Sequence, residues 1–249
     1  MLSKFKIDFG LLLEQSEQEH KYSKKENNLH MQITYQDLRK NEIISTYIKK
    51  ADESLIALGY TEHSFPHVTK VAELASKILL TLGYSEREAE LAKMAGYLHD
   101  IGNVINRVDH AQSGAVMAFR ILDTMHTDAE DIATIITAIG NHDESTAYPV
   151  NAVAAALILA DKTDVRYTRV RNQDFSKFDI HDRVNYSVKE SEVEIVKDSH
   201  IVLNLKIDTQ MCPVMDYFEI FLNRMLLCKK AAEKLGVSFW LVINGQRLV

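Results

Sequence analysis

Apolar positions recur three and four residues apart from about Tyr35 to Val170. That period, close to the ~3.6 residues of an α-helical turn, predicts a run of helices. The first covers residues 36–58 and stops at Gly59. The second carries Val68, Val71, Ala72, Ala75, Ile78, Leu79 and Leu82 on one face and stops at Gly83. Ser85 and Glu88 form a capping-box pattern that opens a third helix, running to His99 and Asp100 with Gly102 as its stop. Asp109 with Gln112 caps a fourth, through about Met125. Thr127 with Glu130 opens a fifth, whose Ile132, Ile135, Ile136 and Ile139 share a face before Gly140. Pro149 starts a sixth, through Asp161 and beyond.

The period changes after about Ile180. Val184, Tyr186 and Val188 alternate, as do Ile201, Leu203, Leu205 and Ile207, and both runs read as strands. Val214, Phe218, Phe221, Met225, Cys228, Ala232 and Leu235 mark an amphipathic helix; Val237–Ile243 is a further strand before an Asn244-Gly245 turn. Three segments result: an N-terminal extension at 1–30, mobile or docked as a loose helix; a helical domain at 31–175; and a β-β-α-β accessory module at 180–249. The expected class is mainly α with a small C-terminal α+β module.

Composition agrees with this pattern. The 249 residues include only 9 glycines and 3 prolines, too few turn residues for anything but long helices. The 46% hydrophobic content excludes a disordered chain, and the net charge of −6 argues against an extended nucleic-acid surface. Cys212 and Cys228 are too few for a disulfide framework and read as reduced core residues. No apolar run reaches the ~18 residues of a membrane span, and the short Leu11-Leu12-Leu13 run is no signal peptide. The expected location is cytoplasmic.

The candidate chemistry lies in the placement of histidine and aspartate. His67 precedes Val71 by four residues and sits on the apolar stripe of its helix. His99 follows Ala95 by four, and His110 opens a helix. His142 falls just past a helix end, three residues after Ile139. Asp161 lies four residues after Leu157, on the buried stripe of the very apolar helix Ala152–Ala160. A buried carboxylate without a partner costs several kcal/mol, and no Lys or Arg on that stripe answers it. A metal ion shared with imidazoles would. His-Asp dipeptides occur three times in the chain, so the dipeptide alone carries little. The ordered, inward-facing set carries the argument.

That ordered set, within His67-Val68-Thr69-Lys70-Val71-Ala72, Tyr97-Leu98-His99-Asp100-Ile101-Gly102 and Leu159-Ala160-Asp161-Lys162, resembles the HD-domain superfamily of metal-dependent phosphohydrolases. The resemblance covers about residues 60–170 and implies a helical HD bundle. It implies His67, His99, Asp100 and Asp161 as core metal ligands, with His110 and His142 where members with a second metal place extra histidines. Asp100 would then bridge the ions. The cofactor implied is one or two divalent ions of iron, manganese, magnesium, zinc or nickel. His63, four residues before His67, reads as a loop histidine near the site. Asn103 stands where many HD enzymes have a phosphate-contacting lysine, and Arg107 is a substitute. Lys162, Arg166 and Arg169 are further candidates for a bound phosphate, Arg169 better aimed than Arg166 if the helix continues past Asp161. Asp100 and Asp143 are the candidate catalytic groups, with Asp143 or Glu144 moving protons.

The leading function is hydrolysis of a nucleotide or other small phosphoester through a metal-activated water. Two alternatives stay open: a di-iron oxygenase on the same fold, and a non-catalytic nucleotide sensor. The expected partner is a small phosphorylated molecule, with no membrane. The open edges of a small sheet also allow a homodimer.

Overall fold

A computed structural model describes residues 32–172, 174, 176 and 178–249; the extension expected at 1–30 lies outside them. The first expected helix is two. Helix α1 spans Tyr35–Lys40 and α2 spans Glu42–Ala57. Asn41 takes an extended conformation between them, and its side chain accepts the Ile43 and Ile44 amides, which starts a new helix. Helix α3 (Phe65–Leu82) buries the apolar stripe read from the sequence and ends at Gly83, whose φ of 90° suits glycine. Helix α4 (Glu86–Leu98) opens on the expected Ser85–Glu88 capping box. It crosses α3 so closely that a Cβ on Gly96 would lie 2.7 Å from Ala72 Cα.

His99 and Asp100 end α4, and a short 3-10 turn, Ile101–Val104, follows. Gly102 does more than stop a helix: a Cβ there would fall 2.0 Å from the His110 carbonyl oxygen. Helix α5 (His110–Thr124) follows Asp109, which is left-handed and forms no side-chain cap, while Gln112 reaches Thr146 instead. Helix α6 (Ala129–Gly140) is capped by Asp128 rather than Thr127. Helix α7 (Ala152–Lys162) starts three residues later than Pro149, because Asn151 accepts the Ala154 amide. It is buried from Val153 to its end and packs against α3, α4 and α6, which makes it the central helix.

The C-terminal part differs from the expected β-β-α-β order. Residues Ile180–Ser187 form helix α8, then come β1 (Val188–Val196), β2 (His200–Ile207), helix α9 (Val214–Lys234), β3 (Ser238–Ile243) and β4 (Gln246–Arg247). The alternation of Val184, Tyr186 and Val188 misleads because Asp179 accepts the Asp182 amide at 2.8 Å and nucleates a helix with Val184 and Ser187 inside. Strand β1 escaped detection because Glu190, Glu192 and Glu194 face out and dilute its apolar side. The sheet order is β1-β2-β3-β4, with β2 and β3 parallel across α9 and the other pairs antiparallel. Asn244 and Gly245, both at positive φ, make the tight turn into β4.

Ile201, Leu203, Leu205, Phe239, Leu241 and Ile243 join Met225, Cys228 and Ala232 in an apolar core continuous with that of the bundle, and residues 33–249 form one compact unit. Helix α9 also packs on α7. Both cysteines are buried and unpaired. Among the described residues no helix is long and apolar enough to cross a membrane.

Candidate metal centre

Six side chains from five chain segments meet beside the C-terminal end of α7. His67 comes from the first turn of α3 and His99 from the end of α4, with Asp100 next to it. His110 opens α5, His142 follows α6 and Asp161 sits near the end of α7. All six are buried. His67, His99 and Asp161 form one group of donors, and His99, Asp100 and His142 a second; within each group one donor atom per residue lies within 4.8 Å of the others.

The imidazoles are oriented alike. Nδ1 of His99 donates to the Gly96 carbonyl at 2.8 Å, Nδ1 of His110 to Arg107 at 3.0 Å, and Nδ1 of His142 to Ile139 at 2.6 Å. A carbonyl only accepts, so each Nδ1 carries the proton and each Nε2 is left as a lone pair. His67 Nδ1 lies 2.8 Å from the fully buried Asp164 carboxylate, which fixes the same tautomer. Such anchoring is how protein-bound metals orient their histidines.

Asp100 faces both ways. Its Oδ2 is 3.1 Å from His99 Nε2 and 3.5 Å from His67 Nε2. Its Oδ1 is 3.6 Å from His110 Nε2 and 3.9 Å from His142 Nε2. Asp161 Oδ1 lies 3.4 Å from His67 Nε2, and its Oδ2 is 2.6 Å from Lys162 Nζ. Despite these approaches, His67 Nε2, His99 Nε2 and Asp100 Oδ2 are buried without a hydrogen bond of acceptable geometry. Orphaned buried acceptors are costly, and a divalent cation is the group that satisfies imidazole nitrogen and carboxylate oxygen together. Nε2 of His110 and of His142 also face each other at 3.2 Å. As two lone pairs they repel; Arg107 Nη1 approaches the His110 nitrogen at 3.4 Å, and a cation on the Asp100 Oδ1 side would satisfy the His142 nitrogen as well. The donor set therefore fits one ion beside His67 and leaves room for a second beside His110.

Electrostatics keep Asp100 and Asp161 ionised and hold His110 and His142 in the neutral form, while the neighbouring carboxylates draw His99 toward its protonated form. Burial, with His99 and Lys162 nearby, pushes His142 down to about 3. Burial also lowers His110. At His99 burial opposes the charged form, but the Asp100 and Asp161 carboxylates outweigh it and the pKa rises. Burial would raise Asp100 and Asp161; His99 beside the first, and Lys162 with the two imidazoles beside the second, hold both well below the usual carboxylate range.

A cavity of about 560 Å³ opens above these groups and is lined by Asp100, His110, His142 and Asp161. Three of the four candidate phosphate contacts, Arg107, Lys162 and Arg169, line it too. Arg166 does not. Helix α7 ends at Lys162 instead of continuing, so Arg166 swings onto Asp164 through Nε at 2.8 Å and Nη2 at 3.2 Å. The same break removes the helical projection that aimed Arg169; it reaches the cavity because it is buried, with Nε on the Glu62 carbonyl and Nη1 on the Asp164 carbonyl. Asn103 donates to Asp100 Oδ1 at 3.0 Å and accepts from Arg107 Nη1 at 3.2 Å, so it ties the carboxylate to the cation. Asp143 lines the cavity 3.9 Å from His110 Nε2. His63 lines it as well, its Nδ1 donating to the Thr61 carbonyl at 2.7 Å.

Sequence reasoning missed three groups at the centre. Asp164 was legible only as a second acid inside a buried stretch, three residues after Asp161. Glu62 backs the site by approaching Arg166. Arg224, on α9, lines the same cavity; next to the apolar face of its helix it looks like an ordinary flanking charge.

A mostly helical chain that gathers buried histidines and aspartates at helix ends, around a central apolar helix, is built as a metal-site protein. The HD domain family model matches residues 64–197, more than half of the chain, and the protein belongs to the HD-domain superfamily. It is similar to an uncharacterised protein of Methanocaldococcus jannaschii, 27% identical over a 185-residue alignment, with 65% of this chain and 71% of the relative covered. It is also similar to the crystal structure of a predicted HD superfamily hydrolase from an uncultured Thermotogales bacterium. That likeness is 27% identical, covers 49% of this chain and 67% of the other, and has a TM-score of 0.39.

Proposed function

We propose that the protein hydrolyses a phosphoester of a small molecule, a nucleotide or similar metabolite, using one or two divalent metal ions. The observation that carries this reading is the convergence of four Nδ1-anchored imidazoles on Asp100 and Asp161, at the floor of a cavity lined by Arg107, Lys162 and Arg169.

His67, His99, Asp100 and Asp161 would hold the first ion, and His110 and His142 with Asp100 a second. When bound, such an ion supplies Lewis acidity that activates water and neutralises phosphate charge. The chain's own groups do the rest. Arg107, Lys162 and Arg169 bring positive charge to the equatorial oxygens of the phosphoryl group as charge builds on them. Asn103 keeps the Asp100 carboxylate turned to both sides of the floor. Asp143, held below the usual carboxylate range by its Ser145 hydrogen bond and by His110 despite burial, is an ionised base at the cavity wall. It accepts a proton from the attacking water and returns it to the leaving oxygen. A donor set that accommodates two ions would also serve a di-iron oxygenase; the cationic lining favours a phosphorylated substrate.

Elemental analysis of protein purified without added metal, paired with hydrolysis of a phosphoester panel, tests the reading. The expected ratio is close to two ions per chain, falling to one with His110→Ala or His142→Ala and to none with Asp100→Ala, with activity falling in step. Full phosphatase activity in metal-free Asp100→Ala protein refutes it.

A further inference from the structure

We infer that Arg224, contributed by the C-terminal helix, is a phosphate-binding residue of the metal cavity, and that Glu144 holds its guanidinium until the substrate anion displaces the carboxylate. The inference rests on the phosphohydrolase reading above and extends it to a part of the chain outside the 64–197 family match.

Three observations converge. Helix α9 packs on α7, and this contact carries Arg224 into the cavity lined by Asp100, His110, His142 and Asp161. The guanidinium is positioned rather than loose: its carbon lies 4.5 Å from the centre of the Phe221 ring, and Nε donates to Glu144 Oε1 at 2.8 Å. Among the described residues that is its one hydrogen bond, so both terminal nitrogens lack a protein acceptor. The side chain keeps 23% of its exposure in a residue that lines the cavity.

Glu144 completes the arrangement. Its Oε1 lies between two cations, Arg224 and, 3.9 Å away, Lys162 Nζ. Lys162 in turn touches Asp161 of the metal floor. A carboxylate oxygen thus sits where two positive groups converge beside the centre, and a phosphate oxygen needs the same surroundings. Glu144 belongs to the irregular segment between α6 and α7, directly after His142 and Asp143, so it can move without unwinding a helix. A phosphate brings more charge than a carboxylate and more oxygens. An arginine with two free terminal nitrogens grips it through paired hydrogen bonds, which a lysine at the same place does not reproduce.

The test compares metal-loaded wild-type protein with Arg224→Gln, Arg224→Lys and Glu144→Gln. The dissociation constant of inorganic phosphate is read by calorimetry, KM and kcat with p-nitrophenyl phosphate, and metal content by elemental analysis. Arg224→Gln is expected to weaken phosphate binding about tenfold or more, as loss of hydrogen bonds to a charged group does, and to raise KM more than it lowers kcat. Arg224→Lys falls between. Glu144→Gln removes the competing carboxylate and tightens phosphate binding. A merely structural ion pair would send the Arg224 and Glu144 variants in the same direction, so their opposite signs are the signature. Phosphate binding by Arg224→Gln within about threefold of wild type, or by Arg224→Lys indistinguishable from wild type, at full metal content, overturns the inference. So does weakened binding in Glu144→Gln. Where Arg224→Gln fails to fold, the other two variants decide. Wild-type protein that binds metal but neither phosphate nor any ester overturns the phosphohydrolase reading itself, a result distinct from failure of Arg224 alone.

Discussion

Asp164→Asn separates the anchoring of the metal centre from the centre itself. The Asp164 side chain is fully buried and serves two tasks. One oxygen takes His67 Nδ1 at 2.8 Å, and the carboxylate as a whole neutralises Lys70 at 2.7 Å, Arg166 at 2.8 Å and Arg169 at 3.7 Å. Burial would raise its pKa, but the His67 hydrogen bond and Arg169 hold it well below the usual carboxylate range, so it is a full charge at neutral pH. Asparagine keeps one acceptor and the shape but loses the charge. Lys70 and Arg166 compete with His67 for that single oxygen, so the ring is held less firmly and Nε2 no longer has to face Asp161. Removing an orienting partner of this kind lowers metal affinity about 10- to 100-fold, or about 1.4–2.7 kcal/mol. Breaking a buried ion pair outright costs roughly 3–5 kcal/mol of stability. The cost here falls toward the low end, because Arg169 keeps its bonds to the Glu62 and Asp164 carbonyls and the Lys70 side chain is 40% exposed.

The assay is competition for metal against a chromophoric chelator, with a thermal melt of each metal-free protein to show that it is folded. Arg166→Gln is the control: it removes one of the same cations and leaves His67 anchored, so metal affinity stays within about threefold of wild type. A folded Asp164→Asn protein with wild-type metal affinity would refute the role assigned to the His67–Asp164 bond.

Two further outcomes follow from the same geometry. In metal-free protein, burial pushes His142 from 6.5 to about 3, so the unfolded chain takes up that proton before the folded one does. Stability contributed by this site is therefore present above about pH 6.5 and is lost as pH falls toward 3, a slope that urea titrations at several pH values should show and His142→Gln should flatten; equal slopes in the two proteins refute it. Gly102→Ala puts a Cβ 2.0 Å from the His110 carbonyl and 2.5 Å from the Gly114 nitrogen, both backbone atoms that cannot swing aside. It should lower stability by several kcal/mol and disturb His110, whereas a melting temperature within about 2 °C of wild type refutes the packing argument.

The helical domain was legible because each of its elements depends on local signals. The stripe from Val68 to Leu79, the Ser85–Glu88 box and the glycine after α3 act within one or two turns of chain, and the structure repeats them. What escaped was decided by contacts between distant residues or by competing caps. Asn41 cut the first helix, and Asn151 postponed α7 past Pro149. Asp179 turned an alternating run into α8. Arg224 joins the cavity only through the docking of α9 on α7, and no spacing in the sequence records that docking. Arg166 lies outside the cavity because α7 stops four residues before it and its guanidinium turns to Asp164, an end that the apolar run did not mark.

The same distinction explains which anchors the site needs. His99 and His142 stand at the ends of α4 and α6, and each ring donates to the carbonyl three residues before it, in the last turn of the helix. His110 does likewise with Arg107 in the turn ahead of α5. Three of the imidazoles thus bring their own orienting acceptors, supplied by the helix termini on which they sit, and a histidine at a helix end suffices to suggest them. His67 lies inside the first turn of α3, where the Ser64 carbonyl is already taken by the Val68 amide. Its ring turns instead to a carboxylate 97 positions away, just past the end of α7. That carboxylate is buried and must itself be neutralised, which is why Lys70, Arg166 and Arg169 gather on it. Arg166 and Arg169 are thus in large part the electrostatic support of one histidine, and Arg169 also lines the cavity beside Arg107, Lys162 and Arg224, the cations that would meet the proposed substrate.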